Sequence, residues 1–316
     1  MQPPLLSSPT LKRLLGDGGL VIVDGGARGD LPPPLAQIPA DQRLIVRFEP
    51  DADVGVVQGP GELVLRQALW SEPETIVLHV TAQPSCSSIY PPDLALLANY
   101  VDILGVGGRR VERQIPVPAT SIDYALAGSE LGLPDFIKLD IHGAEYEALL
   151  GASQALADAT VGVLVECWPV PIHRGQHSFA ELDTLLQAAG FQPFDTAVGA
   201  WPHKPVSSRR YRSRPQSVQF ELLYLLAPAD DAISTYSTRR AAALIAVAEL
   251  FGHVTYAAAI AKAAALHDVI SRTDADVLTS TALARNRISA PRFLMSACAR
   301  RLSAALEPFI VSVAGR

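Results

Sequence analysis

Two stretches of the sequence decide the fold. They read Val21-Ile22-Val23-Asp24-Gly25-Gly26-Ala27-Arg28-Gly29 and Asp135-Phe136-Ile137-Lys138-Leu139-Asp140-Ile141-His142-Gly143-Ala144-Glu145. Each is an apolar run that ends in an acid and small residues, as a buried parallel strand does when it opens into a ligand-binding turn. The carboxyl ends of parallel strands meet at one edge of a sheet, so the two turns are expected to lie together. This pattern indicates an enzyme that acts on small molecules.

The overall composition is that of a globular protein with a sizeable core. The 316 residues are 49% hydrophobic and 18% charged, with a net charge of −6. This negative balance gives no electrostatic reason to expect binding to nucleic acid or to an acidic membrane. The three cysteines, Cys86, Cys167 and Cys298, are odd in number and far apart, which favours reduced thiols and a cytoplasmic location. The first residues lack the pattern of a secretory signal.

Strand and helix signals alternate along the first 228 residues and predict an α/β fold with a mostly parallel sheet. Strands are expected at 21–24, 44–49, 136–141 and 161–166, and a last pair at 191–194 and 218–226 is expected to add an antiparallel edge. Prolines at 32–34 and 39 leave room only for a short crossover helix between the first two strands. Apolar and polar residues alternate along residues 62–70 and 75–81, which predicts two strands that form a hairpin.

The composition changes after Asp231, where the chain becomes rich in alanine and helical in period. We therefore divide it into residues 1–228 and an all-α region of residues 229–316, with breaks near Gly252, Thr273 and Ala290-Pro291. The apolar run 241–261 is read as two helices of a soluble protein, because Glu249 and His253 interrupt it. The helical region is expected either to pack on the sheet or to form a homo-oligomer.

The first turn predicts a nucleotide-like ligand with a positive charge. Glycines at Asp24-Gly25-Gly26-Ala27-Arg28-Gly29 let the backbone approach a ligand, although such a turn can also be purely structural. Glu49, followed by Pro50, ends the next strand, where an acid meets ribose hydroxyls in nucleotide-binding α/β folds. Asp24 would repel a pyrophosphate. S-adenosylmethionine, which carries a ribose, a sulfonium and an ammonium, is therefore favoured over NAD.

These residues resemble the FkbM-type family of S-adenosylmethionine-dependent methyltransferases. The resemblance covers about residues 20–226 and rests on motifs of matching order and spacing: Asp24–Gly29, Phe48–Asp51, Cys86–Ser88, Asp135–Ala152 and Val165–Gln176. It implies a Rossmann-like class I methyltransferase fold. It also implies O-methylation of a hydroxyl on a sugar, a polyketide or another small metabolite. One departure stands out, because the family commonly has Glu where this chain has His142.

The second turn supplies the candidate catalytic residues, Asp140, His142 and Glu145. A hydroxyl acceptor benefits from a base that takes its proton, and the ordinary pKa of His142 suits that role. Asp140 and Glu145 are the other candidates for this base, and Asp140 has the alternative role of orienting the acceptor or the ammonium of the donor. Glu145 has an alternative, structural role in the first turn of a helix, where a carboxylate stabilises the helix dipole.

The remaining polar residues leave alternatives open. Ser87 and Ser88 either line the ligand pocket, where we count them with the cofactor-binding residues, or cap the backbone. Glu166 ends an apolar strand and is expected at the pocket mouth. His173 and His177 are interpreted as surface histidines. No group of residues has zinc-ligand spacing, so no metal is predicted. Two rival functions remain, a non-catalytic partner protein of the same fold and a nicotinamide-dependent oxidoreductase.

Overall fold

The computed structural model describes residues 5–27, 29, 31–51, 58–101, 104–207, 213–228 and 232–285. Arg28, Cys298 and the break expected at Ala290-Pro291 lie outside these residues. The strands are β1 (Leu20–Gly25), β2 (Arg43–Phe48), β3 (Glu62–Leu65), β4 (Ala68–Leu69), β5 (Glu74–Thr81), β6 (Val111–Thr120), β7 (Phe136–Leu139), β8 (Gly162–Cys167), β9 (Phe191–Trp201) and β10 (Gln216–Leu226). The helices are α1 (Pro9–Leu15), α2 (Leu94–Leu97), α3 (Gly105–Gly108), α4 (Ile122–Leu126), α5 (Glu145–Leu150), α6 (Ser153–Asp158), α7 (Phe179–Ala188), α8 (Thr238–Leu250), α9 (Val254–Leu266) and α10 (Arg272–Arg285).

Seven strands form the main sheet in the order β3-β2-β1-β7-β8-β10-β9. The first five of these are parallel to one another, and β10 runs antiparallel to both of its neighbours. Every residue of β1 and β8 is buried, which explains why these strands read as continuous apolar runs. The predicted α/β sheet with an antiparallel edge is confirmed. The strand order reverses between β1 and β7, where ligands bind in open α/β sheets.

The connection from β1 to β2 contains only short helical turns, as its prolines require. Among the described residues it contains two single 3₁₀ turns, Leu35–Gln37 and Ala40–Gln42, and no α-helix. Proline lacks an N–H donor and fixes its own φ, so this segment cannot build a regular helix. Leu31, Leu35 and Ile38 are buried in the core instead.

The predicted hairpin is wrong. β3 joins the main sheet beside β2, whereas β5 pairs antiparallel with β6 in a second sheet of order β4-β6-β5. The ten-residue β6 offers a longer partner to β5 than any segment nearer in sequence, and an isolated two-stranded hairpin is marginally stable at best. The second sheet has a small apolar cluster of its own around Leu78, Val80 and Val117.

The alanine-rich region forms the helices α8, α9 and α10, with the expected break at Gly252. Residues 241–248 of α8 are buried on every side, because α8 lies among α1, α9 and β10. These helices share one hydrophobic core with the main sheet. Packing on the sheet, one of the two expected arrangements, is therefore observed. Across the described residues, no helix combines the length and the apolar character needed to span a membrane.

Candidate functional site at the carboxyl ends of the strands

A cavity of about 320 Å³ lies at the carboxyl ends of the parallel strands. Its wall includes the ends of β2 and β8 and the turns that follow β1 and β7. The segment before α2 and the antiparallel strands β9 and β10 also contribute to it. The lining residues are Gly26, Phe48, Glu49, Pro50, Ala68, Leu69, Leu78, Pro84, Ser85, Cys86, Ser87, Ser88, Ile89, Leu104, Arg109, Asp140, Ile141, His142, Ala144, Glu166, Trp168, Trp201 and Gln219. This volume is within the range of small-molecule sites.

The cavity brings together residues from each of the motifs that the sequence singled out. The predicted site residues in its wall are Gly26, Glu49, Pro50, Ser87, Ser88, Asp140 and His142. The others that the structure describes are not among the lining residues: Asp24, Gly25, Ala27, Gly29 and Glu145. Arg28 lies outside the described part of the chain.

Gly26 lets the first turn pack directly on the second. Its φ is +77°, and a Cβ atom built on it would lie 1.9 Å from the carbonyl oxygen of Asp140. No side chain fits there without moving the backbone of Asp140. The glycine is therefore required by the contact between the two turns, which also sets the distance between the two halves of the cavity wall.

Asp24 does not contribute a free charge to the cavity, contrary to the expectation that it faces a cationic ligand. Its carboxylate is 3.1 Å from Nζ of Lys138 and 4.0 Å from Nε of Arg47. These residues are its direct partners in the register of β7 and β2, so all three side chains lie side by side on one face of the sheet. The side chain of Asp24 is 4% exposed, and the two cations compensate its burial.

Glu49 is the acid that the second strand places in the cavity wall. It is 2% exposed, and its Oε1 accepts a hydrogen bond of 2.9 Å from the backbone N–H of Asp51. That bond fixes the carboxylate at the end of β2, where Pro50 and the ring of Phe48 also line the cavity. A nucleoside lying there would meet one fixed carboxylate and apolar surface from Phe48 and Leu69.

Asp140, His142 and Glu166 form a cluster in the wall of the same cavity. Nδ1 of His142 is 3.6 Å from Oε2 of Glu166, and Nε2 is 3.9 Å from Oδ1 of Asp140. Burial lowers the pKa of His142 below its usual value, which favours a neutral imidazole. Burial, followed by the nearby carboxylates of Asp140 and Glu145, raises the pKa of Glu166.

The turn that carries His142 is held from both sides. His142 has a φ of +57°, unusual for a residue other than glycine, and its carbonyl oxygen accepts a bond of 2.6 Å from Oγ of Ser88. The carboxylate of Glu145 accepts hydrogen bonds from the backbone N–H groups of Ile141 (3.0 Å) and Gly143 (2.8 Å). Burial raises the pKa of Glu145 to about 7. Both Ser88 and Glu145 therefore position the turn, whatever else they bind.

Several lining residues were missed by the sequence reasoning. Trp168 and Trp201 meet edge to face with ring centroids 5.8 Å apart, and the guanidinium of Arg109 lies 4.8 Å over the ring of Trp201. Trp201 sits on an edge strand whose register cannot be read from the sequence. Glu166, at the end of an apolar strand, did carry a signal, and the structure places it in the cavity wall.

His173 is not the surface residue that the sequence suggested. It is 4% exposed, beside Gly143, and burial lowers its pKa to about 3. The described cysteines, Cys86 and Cys167, are both buried and are not joined by a disulfide.

A comparison with models of protein families shows which family the chain belongs to. A family model described as the methyltransferase FkbM domain matches residues 36–193, which is half of the 316-residue chain. The chain belongs to the FkbM methyltransferase family. Membership confirms the predicted cofactor, because methyltransferases of this family take their methyl group from S-adenosylmethionine. No curated protein shows a significant sequence match to this FkbM methyltransferase.

Two solved structures illustrate the similarity in fold. The first is a magnesium protoporphyrin IX methyltransferase from Synechocystis PCC 6803 with bound SAM, at 16% identity and a TM-score of 0.32, over 69% of this chain and 76% of that one. The second is a methyltransferase FkbM from Methylobacillus flagellatus KT, at 16% identity and a TM-score of 0.31, over 69% of this chain and 48% of that one. These likenesses are weak, and the assignment to the family rests on the domain match.

Proposed function

We propose that this FkbM methyltransferase transfers a methyl group to a hydroxyl oxygen of a small metabolite such as a sugar or a polyketide. One observation supports it above the others. A single cavity is lined by Glu49, which with its neighbours Gly26, Phe48, Pro50 and Leu69 we call the first wall, and by Asp140 and His142, which we call the second wall. A donor held by the first wall would therefore lie next to an acceptor held by the second.

The residues of the first wall fit the donor. Glu49, whose carboxylate is buried in the wall, would accept hydrogen bonds from the ribose hydroxyls, and Phe48 and Leu69 would pack on the adenine. Gly26 and Pro50 complete this side. S-adenosylmethionine, when bound, would supply an electrophilic methyl group to an acceptor oxygen, with S-adenosylhomocysteine as the neutral leaving group. The acidic groups of the cavity favour such a positively charged ligand.

The residues of the second wall would receive the acceptor. Asp140 has a half-exposed side chain and can accept a hydrogen bond from a hydroxyl, and the imidazole of His142 lies beside it. These two groups are placed to take the hydroxyl proton as the new C–O bond forms. Glu145 would act as a positioning residue through its two hydrogen bonds to the turn. Good alignment supplies much of the rate, because the sulfonium is already a strong leaving group.

Calorimetry with S-adenosylhomocysteine tests the donor site. We expect the wild-type protein to bind it, and Glu49→Gln to weaken binding by about tenfold or more, because two charge-assisted hydrogen bonds become weaker. Glu74→Gln, at an exposed position on β5, removes the same charge away from the cavity and should change nothing. Absence of binding by the wild type would overturn the proposal, and quenching or enhancement of NADH fluorescence would favour the oxidoreductase instead.

An assay of methyl transfer tests the acceptor site. With a panel of hydroxyl-bearing metabolites and isotopically labelled S-adenosylmethionine, we expect label in an ether product. His142→Ala should keep S-adenosylhomocysteine binding and lose most of the transfer. Donor binding without transfer to any acceptor by the wild type would instead identify a non-catalytic member of the fold.

A further inference from the structure

We propose that Asp140, His142 and Glu166 bind a divalent metal cation in the cavity. Each offers one ligand atom, and these atoms all lie within 4.8 Å of one another. Two carboxylates and an imidazole are a common ligand set for first-row divalent cations. This inference rests on the proposed function, since the cation would lie on the acceptor side of the same cavity.

The state of Glu166 points to a missing ligand. Its side chain is 8% exposed, and its Oε1 accepts a hydrogen bond from the amide of Gln219. Its Oε2 is fully buried and accepts no hydrogen bond from a donor group of the described residues; its neighbours are the ring of His142 and the carboxyl group of Asp140. A buried carboxylate oxygen without a partner is costly unless a proton or a cation satisfies it. A second carboxylate, Asp140, lies in the same cluster and adds to that cost.

The geometry needs only a small adjustment to hold a cation. Ligand bonds of about 2.1 Å allow ligand atoms at most about 4.2 Å apart. Nδ1 of His142 lies 3.6 Å from Glu166 and Nε2 lies 3.9 Å from Asp140, so each carboxylate is beside a different nitrogen, and only one nitrogen can bind a shared cation. With one atom from each residue, the three ligand atoms lie within 4.8 Å of one another, so a closer approach of about half an ångström brings them to this limit. Asp140, with 47% of its side chain exposed, is free to make it, and the imidazole can turn one nitrogen inwards.

A cation with three protein ligands keeps open positions for water or substrate. Those positions would face the cavity. A hydroxyl bound there loses its proton more readily, because the cation stabilises the alkoxide. His142 and Asp140 would then act as ligands in place of their role as proton acceptors in the proposed function, and the hydroxyl proton would leave to solvent. The departure at His142 would then favour a cation such as zinc or iron, which imidazole suits better than it suits magnesium.

Manganese binding tests the proposal without an acceptor. EDTA-treated protein is titrated with Mn²⁺, and the free ion is followed by its six-line EPR signal. We expect one Mn²⁺ per chain for the wild type, and binding at least about tenfold weaker for Glu166→Gln and Asp140→Asn. Pulsed EPR should show nitrogen coupling to the bound ion, which His142→Gln should abolish.

The control is Glu74→Gln, which removes an exposed acid on β5 that does not line the cavity. It should bind Mn²⁺ like the wild type. Circular dichroism melts identify any variant that fails to fold, and the nitrogen coupling in the wild type remains as a test independent of them. No binding at millimolar Mn²⁺, binding without nitrogen coupling, or equal weakening by Glu74→Gln would overturn the proposal. S-adenosylhomocysteine binding by the EDTA-treated protein separates the two hypotheses, since its loss would instead contradict the donor site.

Discussion

At the scale of single residues, the contact between the two turns depends on Gly26. Its φ of +77° and the 1.9 Å that would separate an added Cβ atom from the Asp140 carbonyl oxygen are two separate demands for glycine. Gly16 also has a positive φ, of +78°, but no atom lies within 4 Å of the position that its Cβ atom would take. Alanine substitutions at Gly16 and Gly26 therefore separate the cost of backbone strain from the cost of a clash between the Cβ atom and the backbone of Asp140.

We expect Gly16→Ala to lower the free energy of unfolding by about 2 kcal/mol, because its φ of 78° and ψ of −173° lie in a backbone region almost confined to glycine. Gly26→Ala should cost about 3 kcal/mol or more, because the backbone of Asp140 must also move. Urea unfolding of both variants measures the difference. Equal losses would mean that the two turns are not in contact as described.

The site residues that directly follow an apolar strand were predictable from the sequence, because the end of the strand places them at the cavity. Glu49 and Asp140 each follow an apolar strand, and both line the cavity. The partners of Asp24 were not predictable, since Lys138 lies more than a hundred residues away and becomes its neighbour only through the pairing of β1 with β7. The same limit applies to Glu166 and His142, which the ends of two different strands bring within 3.6 Å.

At the scale of elements, the buried parallel strands were predictable from their apolar runs, but the pairing of exposed strands was not. Residues 62–70 look like one strand, yet β3 and β4 within them belong to different sheets. Alternating patterns show that a face is buried without showing which partner buries it. The helical segment after β7 is similarly divided into α5 and α6, whose break at Gly151 fits closely against Trp70 and Ser121.

Helix α8 is anchored to the amino-terminal edge of the sheet by Arg239. Its guanidinium donates to Oδ2 of Asp135 (2.5 Å) and to the carbonyl oxygens of Gly19 (3.1 Å) and Leu15. Asp135 is 2% exposed, and burial raises its pKa to about 6 although Arg239 and a hydrogen bond from Val21 lower it. The folded state thus binds a proton here more tightly than the unfolded chain, whose aspartate pKa is about 3.9.

This anchor predicts a pH-dependent loss of stability in Arg239→Leu. The stability that Asp135 contributes is present below about pH 4 and is lost as the pH rises through about 6. Without Arg239 its pKa rises further, so the penalty continues to grow above pH 6. We expect a loss of about 1 kcal/mol at pH 5 from the carbonyl contacts, and of about 3 kcal/mol at pH 8, measured by urea unfolding at both values.

The matched control for the anchor is Arg13→Leu, which breaks the exposed ion pair with Asp274. Exposed pairs contribute about 0–1 kcal/mol, so this variant should lose little stability at either pH. A loss for Arg239→Leu that did not change between pH 5 and pH 8 would show that the charge of Asp135 is not what the arginine stabilises.

At the scale of the whole molecule, the change of composition near residue 228 marks a change of secondary structure within one core. Gly162 of β8 would bring a Cβ atom to 3.1 Å from Cγ1 of Val247 and to 2.8 Å from the ring of Phe136. A helix of small residues thus packs closely on a strand that lacks a side chain at that point. Alanine content predicted helices but could not show which surface they cover. A homo-oligomer formed through these helices stays a prediction.

The shared core predicts that the chain unfolds as one cooperative unit. Val247 is fully buried between the sheet and its neighbouring helices, so Val247→Asp places an uncompensated charge in the core and should lower the unfolding free energy by about 4 kcal/mol or more. Val277→Asp, at a position on α10 that is 40% exposed, should change it by less than about 0.5 kcal/mol. Differential scanning calorimetry should show a single transition for the wild type and a single transition at lower temperature for Val247→Asp. If residues 1–228 instead fold independently, Val247→Asp will split the transition and leave S-adenosylhomocysteine binding intact, because the cavity residues all precede residue 228.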